Sequence, residues 1–324
     1  MTRASVALVA GALAVTAGCK RESAPAPSPA ASESTKAQRR FVVGMSQCNL
    51  GEPWRVQMNA DVAKAAEKHP ELEVRFKDAQ NDSLRQRAQV EELAAQGIDL
   101  LIISPKESAP LTKPVADVYR KGIPVIVLDR AVDGGDYTTF IGADNRRIGR
   151  EAGKHAKKLL AGKTHVVELT GLMTSTPGRD RHEGFREGLA LEKNPDVKVV
   201  FEADMQWLEP NARREMESAL ASHKAIDLVY AHNDPGAHGA WLAAKAAGRE
   251  KQMKFIGIDA LPHEGVRYVR EGILDATFLY PTGGAEAVEL AVAIFAGKKP
   301  PKTLTLGTRL YTKENVEKGG EALE

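Results

Sequence analysis

The chain has 324 residues, with 45 Lys and Arg against 43 Asp and Glu and a formal net charge of +2. Near balance, with no basic run interleaved with aromatics, gives no electrostatic footprint for nucleic acid. Two cysteines, at 19 and 48, are too few for a disulfide-stapled scaffold.

Residues 1–18 carry one early cation, Arg3, then an apolar run from Val6 to Val15 that is too short to span a bilayer and ends in small residues. This pattern predicts a secretion signal. The tetrad Thr16-Ala17-Gly18-Cys19 resembles the lipobox of bacterial lipoproteins, in which the cysteine, here Cys19, is acylated and becomes the mature N-terminus. Residues 19–39 are rich in Ala, Ser and Pro, with Pro25, Pro27 and Pro29 alternating, and are expected to be a disordered tether. With Cys19 lipidated, only Cys48 remains as a thiol, so the exported body must be stable by burial alone. About 285 residues remain, more than one core usually serves, and two lobes are expected.

The body alternates strands and helices. Strands are expected at 41–45, 74–76, 100–103, 125–128, 139–141, 166–169, 197–201, 228–230, 255–258 and 276–279, several of them continuously apolar, as strands covered on both faces require. Amphipathic helices fall between them, among them 56–68, 83–96, 146–160, 210–222 and 286–295. Five strands precede the segment at Gly142–Asn145 and five follow it. The repeated βα units predict an α/β protein of two doubly wound parallel-sheet lobes.

In open parallel sheets ligands bind beyond the carboxyl ends of the strands. The 125–128 strand stops at Asp129-Arg130, a carboxylate and a guanidinium that can accept from and donate to the neighbouring hydroxyls of a polyol. Other strand ends supply Glu52-Pro53-Trp54-Arg55, Asp78 to Asp82 and Ser104, then Thr174 to Arg181, Asp204 to Trp207, His232 to Asp234, Asp259 and Tyr280. Indole faces at Trp54 and Trp207 beside Asp129, Asn233, Asp259 and Arg130 make an environment suited to a sugar. Asp234, directly before Pro235, reads as a helix N-cap. Arg179 reads as an ion-pair partner of Glu183 or Glu187. His232, His238 and His263 have no metal-ligand spacing. Nucleophile-elbow, zincin and dinucleotide motifs are absent, and the Gly-Lys-Thr at 162–164 closes a helix rather than opening one, so no enzyme, cofactor or metal is expected.

From Arg40 to about Thr312 the chain resembles the periplasmic sugar-binding proteins of ABC importers, of the ribose/galactose type. The likeness rests on V-G-M-S-Q (43–47) with P-W-R (53–55), D-A-Q (78–80), G-I-D-L-L-I-I-S-P (97–105), G-I-P-V-I-V-L-D-R (122–130), D-R-H-E-G-F (180–185), A-H-N-D (231–234) and I-G-I-D (256–259). Within that family it is most similar to the galactofuranose-binding proteins. The resemblance implies the type I periplasmic binding protein fold, with an N-terminal lobe of 40–143 plus 281–308 and a C-terminal lobe of 144–280 plus 309–324. It implies three hinge strands, near 142–144, 279–281 and 307–309. It implies that Asp129 and Arg130 grip ring hydroxyls, that Arg181, Asn233 and Asp259 are ligands from the second lobe, that Trp54 and Arg55 come from the first, and that Tyr280 stands beside a hinge. Ile258 replaces the aromatic of ribose binders and an amide near Tyr280 is missing, which argues against ribose. The implied protein is a monomer, lipid-anchored in the cell envelope, that closes on a monosaccharide, a hexose or its furanose form, and hands it to a permease. An exported sensor for a chemoreceptor or histidine kinase would use the same binding chemistry. The lactose-repressor family shares the body, but there a DNA-binding segment stands where this chain has a signal and tether. Cys19→Ala is expected to yield an unlipidated precursor or a soluble export product, checked by metabolic labelling with radioactive palmitate; unlabelled wild-type protein with unchanged processing in the variant would defeat the lipobox reading.

Overall fold

The computed structural model describes Gly18 and residues 40–162 and 164–323. The expected signal segment, Cys19, the tether and Lys163 lie outside the described residues. Among the described residues no helix is long and apolar enough to cross a membrane.

The chain runs β1 (Phe41–Gln47), α1 (Pro53–Ala66), β2 (Leu72–Asp78), α2 (Ser83–Ala95), β3 (Leu100–Ser104), α3 (Ser108–Arg120), β4 (Val125–Leu128), β5 (Thr139–Ala143), α4 (Asn145–Leu160), β6 (His165–Thr170), α5 (Thr176–Leu189) and β7 (Lys198–Asp204). It continues α6 (Glu209–Ser222), β8 (Leu228–Ala231), α7 (Asp234–Ala246), β9 (Lys254–Asp259), α8 (Gly265–Glu271), β10 (Ala276–Leu279), α9 (Gly284–Phe295), β11 (Thr303–Leu306), β12 (Thr308–Thr312) and β13 (Glu321–Leu323). One sheet has the order β11-β5-β4-β3-β1-β2 and is parallel throughout. The other has the order β13-β12-β10-β9-β8-β6-β7, with β12 and β13 antiparallel at one edge. In each sheet the strand order reverses beside the first strand of its lobe, which leaves a crevice at the carboxyl ends.

Local chemistry accounts for the elements. β3 and β4 are buried throughout and apolar but for the closing Ser104 of β3, since helices cover both faces. Pro53 starts α1 in its first turn. Asp82 caps α2 by accepting from the Leu84 and Arg85 amides, and Asp144 caps α4 by accepting from Arg147. β2 outruns its expected three residues because, at the sheet edge, charged Glu73, Arg75 and Lys77 alternate with apolar neighbours. β11, β12 and β13 leave no apolar run in the sequence because they are short and carry Thr, Arg and Glu, with β11 and β13 at sheet edges.

The chain passes between the sheets at Asp144, in the turn between β10 and α9, and at Gly307. At the cleft rim the lobes touch: the Ser108 amide donates to the Thr174 carbonyl (3.2 Å), the Thr174 hydroxyl to Glu107 (2.8 Å) and the Ala131 amide to the Thr176 hydroxyl (3.0 Å). The cleft is closed.

Within the second lobe α4 and α5 meet backbone to backbone along a glycine seam. A Cβ added to Gly153 would lie 2.3 Å from the Phe185 carbonyl oxygen, and one added to Gly184 would lie 2.1 Å from that of Arg146. Neither contact has a flexible side chain to give way. Gly184→Ala is therefore expected to destabilise the protein by at least the roughly 1–3 kcal/mol typical of overpacking, read as a lower Tm in a circular-dichroism melt; an unchanged Tm would show that the seam can spread at no cost.

Candidate functional site

Glu52, Trp54, Arg55, Asp129, Arg130, Pro177, Arg181, Trp207, Asn233, Asp259 and Tyr280 surround one cavity between the lobes. All nine site residues expected from the sequence are brought together there. Glu52 and Pro177 also line it; both lie in strand-end segments read from the sequence but were not singled out there as site residues. The cavity has a volume of only about 10 Å³. The walls are pressed nearly together.

The first lobe contributes an ion-paired floor. Arg55 Nη1 donates to Asp129 Oδ2 (2.6 Å) and to Ser104 Oγ (2.8 Å), and Ser104 donates to the same carboxylate oxygen (3.2 Å). Burial pushes the Asp129 carboxyl up, but Arg55 and Arg130 outweigh it and hold its pKa below the usual range. Arg130 Nη1 donates to the Lys106 carbonyl at 3.0 Å, while its Nε, 3.8 Å from Asp129, and its Nη2 are buried without a hydrogen-bond partner. Arg55 Nε, 3.8 Å from Glu52 Oε2, and Trp207 Nε1 likewise have no hydrogen-bond partner among the described residues. Trp54 is buried, and its indole N–H donates to the Tyr280 carbonyl at 2.8 Å.

In the second lobe Arg181 Nε donates to Asn145 Oδ1 (2.8 Å), Nη1 donates to the His232 carbonyl, and Asp259 Oδ1 lies 3.9 Å from Nη1. Burial raises the Asp259 carboxyl well above its ordinary range, Arg181 opposing and buried Asp234 adding to the rise. The guanidinium carbons of Arg130 and Arg181 stand over the Trp207 ring at 5.2 and 5.4 Å, and Gly171 allows that ring its seat, since a Cβ there would lie 2.3 Å from it. Tyr280 links the lobes: its hydroxyl donates to the Asp129 carbonyl (3.2 Å) and accepts from Asn145 Nδ2 (3.3 Å).

Two local readings are corrected. Asn233, not Asp234, caps α7, its Oδ1 accepting from the Gly236 amide at 3.0 Å while its Nδ2 donates to the Trp207 carbonyl at 2.9 Å. The turn after β8 aims the Asp234 carboxyl away from the helix, onto Ala260 and Thr277. Glu183 and Glu187 pair with Arg146 of α4 across the glycine seam rather than with Arg179, because α4 lies within reach and the i,i+4 geometry is not needed.

Behind the cavity a fully buried carboxylate supports Arg181. Glu168 accepts from His232 Nε2 (3.2 Å), His182 Nδ1 (3.0 Å) and Arg186 Nη2 (3.3 Å). Burial would raise its pKa, but the hydrogen bonds from His182 and His232 prevail and hold it at about 2. Glu168, His182 and Glu202 bring ligand-type atoms within 4.8 Å of one another, yet Arg186 donates to both carboxylates and takes a cation's place.

Residues 43–299 match a family model described as a periplasmic binding protein domain. The ribose import binding protein RbsB of Bacillus subtilis is 31% identical over 279 residues, which cover 86% of this chain and 89% of that protein. The galactofuranose-binding protein YtfQ of Escherichia coli is 31% identical over 231 residues, covering 68% and 72%. Among solved structures, the fructose-binding periplasmic domain of a hybrid two-component system is 43% identical with a TM-score of 0.83, covering 86% of this chain and 93% of that one.

A Glu168→Gln substitution turns one acceptor into a donor facing His182, His232 and Arg186, at an expected cost of about 1–3 kcal/mol near neutrality. The folded pKa, about 2, lies below the ordinary 4.5, so the carboxylate's contribution is complete above about pH 4.5 and is lost as pH falls through 2. Denaturant titrations from pH 4.5 downward are expected to show the gap between wild type and variant narrowing. A gap that widened on acidification would overturn this assignment.

Proposed function

The chain belongs to the periplasmic binding protein family, and we propose that it captures a hexose in furanose form between its lobes and delivers it to the permease of an ABC importer. Its two-lobed architecture is the type I periplasmic binding protein fold. The observation that carries the reading is the set of buried donors on Arg55, Arg130 and Trp207 that have no hydrogen-bond partner among the described residues, lining one narrow cavity together with the Asp129 and Asp259 carboxyls. Buried N–H groups rarely stay unpaired. A polyol suits both sides, since each hydroxyl donates once and accepts twice. Arg55, Arg130 and Arg181 line the cavity together with Glu52, Asp129 and Asp259, so hydroxyl groups find donors and acceptors in the same lining, and the relatives named for galactofuranose and fructose favour a neutral sugar over a sugar acid.

Relatives named for galactofuranose and fructose support a hexose, and the departures at Ile258 and Tyr280 argue against ribose. The walls leave too little room for a sugar ring to enter, so the lobes must part to admit it and close on it; contacts from both lobes then favour the closed state. Lipid anchoring through Cys19 in the periplasm and action as a monomer belong to this proposal, the former supported by residues 16–19. A second reading, an exported sensor, is favoured by one observation, the likeness to a sensor's periplasmic domain.

Calorimetric titration of the purified protein with D-fructose, D-galactose, D-ribose and D-galacturonate tests the ligand class. A neutral hexose is expected to bind most tightly, to lower the radius of gyration in X-ray scattering, and to lose its affinity in Arg130→Ala, where charge-assisted hydrogen bonds worth about 1.5–3 kcal/mol each are removed. Tightest binding of the acid, or tight binding with unchanged dimensions, would refute the reading. Radiolabelled sugar uptake by cells lacking the gene separates the roles: an importer's loss abolishes uptake, a sensor's loss leaves it.

A further inference from the structure

Asp259 faces Arg181 in the cavity, yet its carboxylate makes no hydrogen bond among the described residues; the Arg181 contact at 3.9 Å is a loose ion pair. Side-chain partners therefore do not aim it. Its backbone does, and that backbone is strained: Asp259 has φ +131° and Ala260 φ +52°, neither being glycine. Such conformations cost about 1–3 kcal/mol each and persist only where the surroundings over-determine them.

The surroundings here converge on Asp234. Its carboxylate, fully buried at the start of α7, accepts from the Ala260 amide (2.7 Å) and from the Thr277 hydroxyl of β10 (2.6 Å). Two glycines make room for it: a Cβ on Gly257 would lie 2.2 Å from Oδ1, and one on Gly265 would lie 1.8 Å from Oδ2. No basic side chain forms an ion pair with it among the described residues. Because Asn233 caps α7, the Asp234 carboxylate is not needed by the helix it begins. A buried carboxylate with two donors and no counter-charge is costly to keep.

We propose that Asp234 is a positioning residue, which pins the turn at Asp259 and Ala260 between β9 and α8, and so holds the Asp259 carboxylate toward Arg181 and the captured ligand. It reaches no ligand itself. Its influence on affinity runs through Asp259, a claim that rests on the sugar-capture reading, whereas the pin itself does not.

Two variants separate shape from charge. In Asp234→Asn the amide oxygen can still accept from Ala260, and the Thr277 hydroxyl can turn to accept from the new NH₂ group. In Asp234→Ala both donors lose their acceptor. Amide hydrogen exchange of Ala260, followed by NMR without ligand, is expected to be about tenfold faster in Asp234→Ala and nearly unchanged in Asp234→Asn. Calorimetry with D-fructose is expected to show about tenfold weaker binding in Asp234→Ala, rescue in Asp234→Asn, and no further loss when Asp234→Ala is added to Asp259→Ala. Unchanged Ala260 exchange in Asp234→Ala would overturn the pin, and an undiminished affinity loss in the Asp259→Ala background would overturn the route through Asp259. Wild-type protein that bound none of the sugars would refute sugar capture instead, and the exchange rates would then decide the pin by themselves. Should Asp234→Ala not fold, Asp234→Ser, too short to reach Ala260, replaces it in both measurements with the same expectations.

Discussion

The buried ion pair between Arg55 and Asp129 is the constraint around which the cavity is arranged. Withdrawing one guanidinium from water costs several kcal/mol unless partners replace the lost hydration, and this cavity withdraws Arg55, Arg130 and Arg181 together. Asp129 has to be ionised and central for the first lobe to tolerate two of them. Its position dictates the rest: Ser104 must end β3 with a hydroxyl, Tyr280 must lean across to the Asp129 carbonyl, and Arg130 is left with a backbone acceptor for one nitrogen only. Stability is spent on donors that have no hydrogen-bond partner among the described residues, as expected where binding rather than folding has been selected.

Strain is distributed in the same way. Gln80, Asn81, Asp129, Gln206, Trp207, Asp259 and Ala260 all have positive φ without being glycine, and all lie where a strand's carboxyl end gives way to a loop. A strand continued with ordinary dihedrals would carry its next side chains out along the sheet. Left-handed or unusual φ values turn the chain at once, so that Asp129, Trp207 and Asp259 face inward. Each needs a local clamp, and the clamps are visible: the Trp207 carbonyl is held by Asn233, and the Asp129 carbonyl by Tyr280.

The parallel strands were legible in the sequence because burial on both faces leaves an uninterrupted apolar run, as in β3 and β4, and the cavity residues were legible because polar groups cluster directly after such runs. The last three strands were not, since β11 to β13 alternate or are too brief to leave a run. The side-chain partnerships of the second lobe were also hidden. Whether Asn233 or Asp234 caps α7 depends on the angle at which β8 enters the helix, and an acidic residue inside β6 makes sense only once His182 and His232 arrive from two other segments to meet it. Sequence shows which residue types a position can tolerate; it does not show which distant donor will satisfy them.

The glycine seam has a mechanical consequence. With no side chains between them, α4 and α5 have no cushion that could shear, and Arg146 rivets their outer faces to Glu183 and Glu187. α4 begins one residue after the chain leaves the first sheet, and α5 carries Arg181. The pair is thus one stiff body that ends at the Arg181 guanidinium. Under the proposed closure it would turn as a unit, and a fluorophore attached to the outer surface of α5 would report that rotation.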